Sequence, residues 1–512
     1  MISTPPTFSK LVLLGFGSLI SSACAAPAPV AKSEASPKER QAGERSQVSL
    51  TVYNQGSSLV REIREADLQK GMNHLVVPEV PATLDPTSVH LSTEGGDLRV
   101  LEQNYQYDLP DTRTLLTRYI GKDIEFIRKD GLGGDRSFTG KLLAVEGSAG
   151  MNVEGPDGRN TGLLAEINGK IEVAPAGRLA LPSLAEGLIL QPRLLWLAES
   201  PKAGKQKLEL TYLAGAISWT CEYVALLSAN SDQIDLTGWV TLENESGTSF
   251  KNAGLKLVAG EINRVEDAQE EAFADRGYVA SRMKAAPAPQ FQQSEIFEYK
   301  LYTLGRRTDL ANRERKQIEL VSAEKAKSRK VLIYDGLESN WRWWINTPSY
   351  RNQQNFGQTG NTKVGVYVVF KNDKASNLGM PLPAGRVRVF QNDPDGKPQL
   401  IGEDRLGHTP KDEEVRLFLG KSFDVVGERA QTDFKSLSKG EIIEETFRVK
   451  VRNHKEAPVS VDIVEHPWRW REWEILKADA KWEKVDQNTL RFPVDIAAGE
   501  EKIVNYTVRY RY

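Results

Sequence analysis

Apolar residues recur at every second position along much of this chain, and glycine, proline, asparagine and aspartate cut the recurrences short. Val364, Val366, Val368 and Phe370 share one face of such a run, with Tyr367 and Val369 on the other. Further on, Val387 and Val389 face inward against Arg386 and Arg388, and Val415, Leu417 and Leu419 make a third inward set. Between them lie Leu378-Gly379-Met380-Pro381-Leu382-Pro383-Ala384-Gly385 and the turn Asn392-Asp393-Pro394-Asp395-Gly396. A period of two bounded by turn residues specifies half-buried β-strands. Pro381 and Pro383 fix φ while Gly379 and Gly385 are expected to permit unusual turns, so this run sets how one strand enters its sheet.

The same pattern, followed along all 512 residues, predicts a mainly β protein of several modules, since the chain is too long for one ordinary core. Residues 47–110 read as an N-terminal antiparallel β-domain, opened by Val48-Ser49-Leu50-Thr51-Val52-Tyr53. Residues 111–185 carry short strands with glycine-rich connections, the pattern of a small SH3-like barrel. Residues 190–512 read as antiparallel β-sandwiches, broken at 264–293 by a charged loop or linker. The sandwich over 440–512 is expected to be immunoglobulin-like, with six short strands and no disulfide.

Residues 11–23 form a short apolar run after Lys10 and end in small residues, the layout of a secretory signal peptide over residues 1–25. Ala23-Cys24-Ala25 offers a cleavage site, whereas Ser21-Ser22-Ala23-Cys24 is similar to a bacterial lipoprotein signal in which Cys24 is lipidated and anchors the chain. Residues 26–46 are expected to be a disordered linker. No later apolar run has the length of a membrane helix. Export without a second cysteine leaves Cys221 unable to form an intrachain disulfide, so it reads as a buried, inert thiol. The formal charge of −2, or −3 without Lys10, gives no footing for nucleic acid.

Residues that carry chemistry are sparse. His74, His90, His408, His454 and His466 show no metal-ligand spacing, and no cofactor motif accompanies them. Ser322-Ala323-Glu324-Lys325 and Ser436-Leu437-Ser438-Lys439 match S-x-x-K without its partner motifs, and G-x-S-x-G is missing. An envelope hydrolase with a carboxylate-based site on loops between modules stands as the enzymatic alternative, though no acid pair is singled out. Two aromatic segments stand out instead: Asn340-Trp341-Arg342-Trp343-Trp344-Ile345-Asn346 and His466-Pro467-Trp468-Arg469-Trp470-Arg471-Glu472-Trp473. Read as strands, they put Trp341 with Trp343 and Trp468 with Trp470 on shared faces, with Arg342 and Arg469 opposite. Tryptophan and arginine suit a binding surface, and tryptophan equally suits packing between modules.

From about residue 190 onward the chain resembles the bacterial DUF4139 family, a domain of unknown function. The resemblance rests on Ser218-Trp219-Thr220-Cys221-Glu222-Tyr223, Gly238-Trp239-Val240-Thr241-Leu242-Glu243-Asn244 and the run from Asn377 through Gly385. Leu400-Ile401-Gly402-Glu403, Leu419-Gly420, Phe423-Asp424-Val425 and Val451-Arg452-Asn453-His454 extend it. Relatives in the mucoidy-inhibitor group add an N-terminal partner domain and a coiled coil, and this chain has no heptad segment between its halves. The resemblance supplies no catalytic residues. The sequence therefore leads to an exported, periplasmic or outer-membrane-associated protein that binds or scaffolds, with an envelope protein or a glycan as partner.

Overall fold

The computed structural model describes residues 39–512 apart from 94–97, 108–111, 130–133, 146–150, 153–157, 183–188, 190, 261–289, 339, 345–352, 355–359 and 439–440. The signal peptide, Cys24, the linker up to residue 38 and most of the 264–293 segment lie outside these residues. Strands dominate, as the alternation requires: Gln233–Asn244, Ile442–Asn453 and Glu501–Arg511 each bury alternate side chains along most of their length.

One strand path is traced twice. The first copy runs through Gln47–Tyr53, Ser57–Leu68, Gly204–Gly215, Ile217–Leu227, Gln233–Asn244, Phe250–Ala259, Tyr299–Leu304 with Thr308–Leu310, and the beginning of Glu314–Asp335. The second uses the end of Glu314–Asp335, then Lys363–Lys371, both halves of Glu414–Leu437, Ile442–Asn453, Val459–Glu465, Thr489–Ile496 and Glu501–Arg511. In each copy the first strand pairs antiparallel with the second and parallel with the sixth. The second pairs with the third, the fourth with the fifth, the fifth with the eighth and the sixth with the seventh, all antiparallel. Glu314–Asp335 closes one copy and opens the other.

Both fifth strands end on a buried asparagine that performs the same task. Asn244 Nδ2 donates to the carbonyls of Thr248, Leu310 and Ala311 at 2.9, 3.3 and 3.0 Å. Asn453 Nδ2 donates to those of Ala457, Ile496 and Ala497 at 2.9, 3.4 and 3.0 Å. Each Oδ1 accepts from the backbone N–H two residues on, at 3.1 Å. One short side chain thereby satisfies the turn after strand five and the approach to strand eight, where backbone groups have left the ladder.

Most inward side chains of each copy meet in a core of their own, while Val368, Phe370, Val415 and Leu417 of the second copy join the first core. Leu50, Val60, Leu208, Trp219, Val240 and Ile318 belong to the first. Tyr334, Val364, Phe447, Ile463, Phe492 and Tyr506 belong to the second. The copies differ in what interrupts them. Between its second and third strands the first copy carries Gly71–Val77, Arg99–Gln106 and Arg193–Ser200, which form a sheet with Glu39–Gln41 from ahead of the first strand. Within that sheet, between Arg99–Gln106 and Arg193–Ser200, sits a five-stranded antiparallel sheet with its own core around Phe126, Leu142 and Ile167.

This organisation departs from the expected division. Ser57–Leu68 pairs with Gly204–Gly215 along its whole length, and Gly71–Val77 with Arg193–Ser200, so the strands of 47–110 are completed by residues beyond 190. Residues 440–512 contain the six expected strands but draw their sandwich partners from residues 330–437. The expected linker ends early: Glu39–Gln41 joins a sheet, Ala42 is buried and Arg45 pairs with Glu62. Phe291–Ile296, at the expected charged loop, is a strand. Gly379 is left-handed at φ 95°, whereas Gly385 makes no such turn. A Cβ there would be driven into the carbonyl of Cys221, so this glycine permits the parallel pairing of Gly385–Asn392 with Ile217–Leu227.

Candidate functional site

Parallel pairing makes the site. Because Asp335 lies beside Val464, the chain leaves both strands at the same end of the sheet, and the two tryptophan segments emerge next to each other. The first emerges as a loop pinned at its base. Asn361 donates from its N–H to the carbonyl of Gly336 at 2.9 Å and from Nδ2 to the carbonyl of Asp335 at 2.6 Å. Asp335 Oδ1 accepts from the N–H groups of Leu337 and Glu338 at 3.0 and 2.7 Å, a turn that launches a short helix, Asn340–Trp344.

Neither tryptophan segment is a strand, and this corrects the expected shared faces. Trp341, Arg342 and Trp343 lie on the helix, and Trp468, Arg469 and Trp470 on irregular backbone after Val459–Glu465. The segments do come together. The Trp341 indole stacks on the His466 ring with centroids 4.6 Å apart and planes 15° from parallel. Trp344 meets Trp468 edge to face at 5.3 Å, an arrangement that the ring quadrupoles favour.

Depth sorts the six residues. Trp468 and Arg469 are each 1 % exposed, which removes them from any ligand-facing surface and gives them packing roles. Arg469 Nη2 donates to Glu445 Oε1 at 2.8 Å, its guanidinium lies 4.7 Å from the Trp468 ring, and Gln431 donates to the same carboxylate at 2.6 Å. Trp470 is half-buried against Tyr512 at 5.5 Å. Trp341 is partly covered, with the Arg342 guanidinium 5.5 Å from its ring. Trp343, 62 % exposed, and exposed Arg342 form the outward ledge.

A second buried ion pair braces the sandwich beneath. Arg429 Nε donates to both oxygens of Glu465 at 3.0 and 2.9 Å, and the Tyr506 hydroxyl donates to Glu465 Oε2 at 2.5 Å. With two donors on one carboxylate the charge is compensated inside the core, as burial demands. Glu465 immediately precedes His466, so the brace fixes the point from which the second tryptophan segment departs.

Two contributors, Asp335 and His466, were given no role by the sequence pattern. His466 is 7 % exposed, with Nε2 3.1 Å from Asp335 Oδ2 and Nδ1 3.0 Å from the Asn488 carbonyl oxygen. The only signal for them was adjacency: Asp335 ends an apolar strand and His466 opens the second tryptophan segment.

Two other places among the described residues have their reactive groups engaged or buried. Burial pushes the Cys221 thiol up to about 12, the form of an inert core thiol. A cavity of about 320 Å³ is lined by Arg386, Glu403, Asp404 and Arg405. Its two carboxylates are already engaged: Glu403 pairs with Arg388 at 3.0 Å, and Asp404 accepts from the N–H groups of Phe418 and Arg405 at 2.6 and 2.8 Å. Among the described residues no group of three or more His, Cys, Asp or Glu side chains is placed to hold a metal ion, and no helix is long and apolar enough to cross a membrane. The site and fold define a mainly β protein of several antiparallel-rich sheets with an aromatic ledge at the ends of two parallel strands. Compared with known proteins, the chain matches no family model and no curated protein.

Proposed function

We propose that this chain is an exported cell-envelope protein that binds or scaffolds, and that the ledge of Trp341, Arg342 and Trp343 is its ligand-facing surface. The observation that carries the reading is the contrast in depth: Trp343 stands 62 % exposed beside Arg342, on a helix whose other tryptophans rest on buried His466 and Trp468. Leaving a large apolar ring in water carries no folding benefit, whereas a rigidly mounted indole beside a guanidinium suits a sugar face or a protein hot spot. The leader-like residues 1–25 support export, and the resemblance to DUF4139 agrees with a bacterial envelope setting. An envelope protein or a glycan is the partner.

The test is capture from envelope extracts with the immobilised chain. Trp343→Ala combined with Arg342→Ala leaves the buried anchors intact, so the fold is retained and capture of the partner falls by at least about tenfold, the scale of one lost hot spot. Undiminished capture by the folded double variant contradicts the reading.

A further inference from the structure

We infer that His466 is the positioning residue of the ledge: a two-sided clamp that fixes the face on which Trp341 rests and so sets where Trp343 points. This deepens the proposed function and rests on the ledge being the ligand-facing surface. The two ring nitrogens face acceptors on different parts of the chain, Asp335 at the end of Glu314–Asp335 and the Asn488 carbonyl just before Thr489–Ile496. These contacts, 3.1 and 3.0 Å long, are both hydrogen bonds when the ring carries an N–H on each nitrogen and one hydrogen bond when it is neutral, and in either form they restrict the ring's rotation.

The fixed ring has one task that its hydrogen bonds alone do not explain. Its face is presented to Trp341 almost in parallel, 4.6 Å away. The same Asp335 carboxylate that holds the imidazole through Oδ2 also holds, through Oδ1, the N–H groups that start the helix bearing Trp341 and Trp343. Clamp and helix are therefore joined at both ends, by a shared carboxylate below and by ring stacking above. A helix of five residues has too few internal hydrogen bonds to hold its own direction, so its aim depends on tertiary anchors: these two and the packing of Trp344 on Trp468.

Fluorine NMR of fluorotryptophan-labelled protein tests this without any ligand, with the Trp341 and Trp343 signals assigned through Trp341→Phe and Trp343→Phe. His466→Phe keeps an aromatic ring under Trp341 but removes the ring-nitrogen contacts to Asp335 and the Asn488 carbonyl. The expected result is that the Trp341 and Trp343 signals broaden or move toward the solvent-exposed position, while those of Trp196 and Trp219 in the other core stay put. Unchanged Trp341 and Trp343 signals in the folded variant overturn the clamp. Should His466→Phe unfold the chain, Asp335→Asn retains an oxygen for the helix turn and alters only the side facing the ring, and unchanged signals there overturn it equally. Loss of the ledge's partner binding in Trp343→Ala is a separate readout: failure there with a working clamp rejects the binding function and leaves the positioning role standing.

Discussion

Side chains buried with their hydrogens in place govern how this molecule responds to alkali. Tyr212, Tyr223, Tyr506 and Tyr510 have their phenols held well above the ordinary range by burial, reinforced at Tyr212 by the Glu62 carboxylate and at Tyr506 by that of Glu465. Below about pH 7 these phenols and the Cys221 thiol are neutral in both folded and unfolded chains, so they contribute no pH dependence. Above that, the unfolded chain releases protons that the folded chain keeps, and stability falls as pH rises. The expected outcome is alkaline unfolding in which tyrosinate absorbance from the buried phenols and reactivity of Cys221 appear together with loss of near-ultraviolet circular dichroism. Ionisation of these groups well before unfolding contradicts their burial. At this scale the sequence was only partly legible. The inert thiol follows from a single cysteine in an apolar strand, but the Asp335–His466 contact joins residues 131 positions apart, and no local pattern carries such a pairing.

Strands were readable because each states its own pattern, and two apolar–polar alternations suffice to mark one. The first tryptophan segment misled for a physical reason. Trp-Arg-Trp imitates strand alternation, yet the Asp335 turn and the stack on His466 impose a helix, tertiary contacts overriding local preference. The matched asparagines are the element-scale signature of the repeated path, and nothing in their sequence neighbourhoods beyond the residue itself announces it. Each holds three carbonyls, so Asn244→Ala and Asn453→Ala are each expected to cost about 1–3 kcal/mol. Because the two sites share no partners, the double variant should lose the sum within about 0.5 kcal/mol. Denaturant midpoints of the three variants measure this. An effect at one asparagine only would show that the two turns do not play the same part.

For the whole molecule, the repeated path explains why composition shifts failed to mark the divisions. Strands far apart in sequence complete one another, as Gln47–Tyr53 does with Phe250–Ala259, and the single strand Glu314–Asp335 serves both copies. A boundary drawn along the chain cuts sheets that only the fold reveals. The second copy alone carries long segments after both its first and its sixth strand among the described residues, and parallel pairing of those strands brings two distant aromatic motifs together, the second supporting from beneath the ledge that the first carries. The most direct test places a photo-crosslinking amino acid at position 343 in cells producing the chain, with the same group at Leu400, which is 57 % exposed on a strand outside both tryptophan segments, as the control. A discrete adduct from position 343 and none from position 400 is the predicted result. No adduct at 343, or the same adduct from both positions, would contradict the ledge as the surface through which this protein meets its partner.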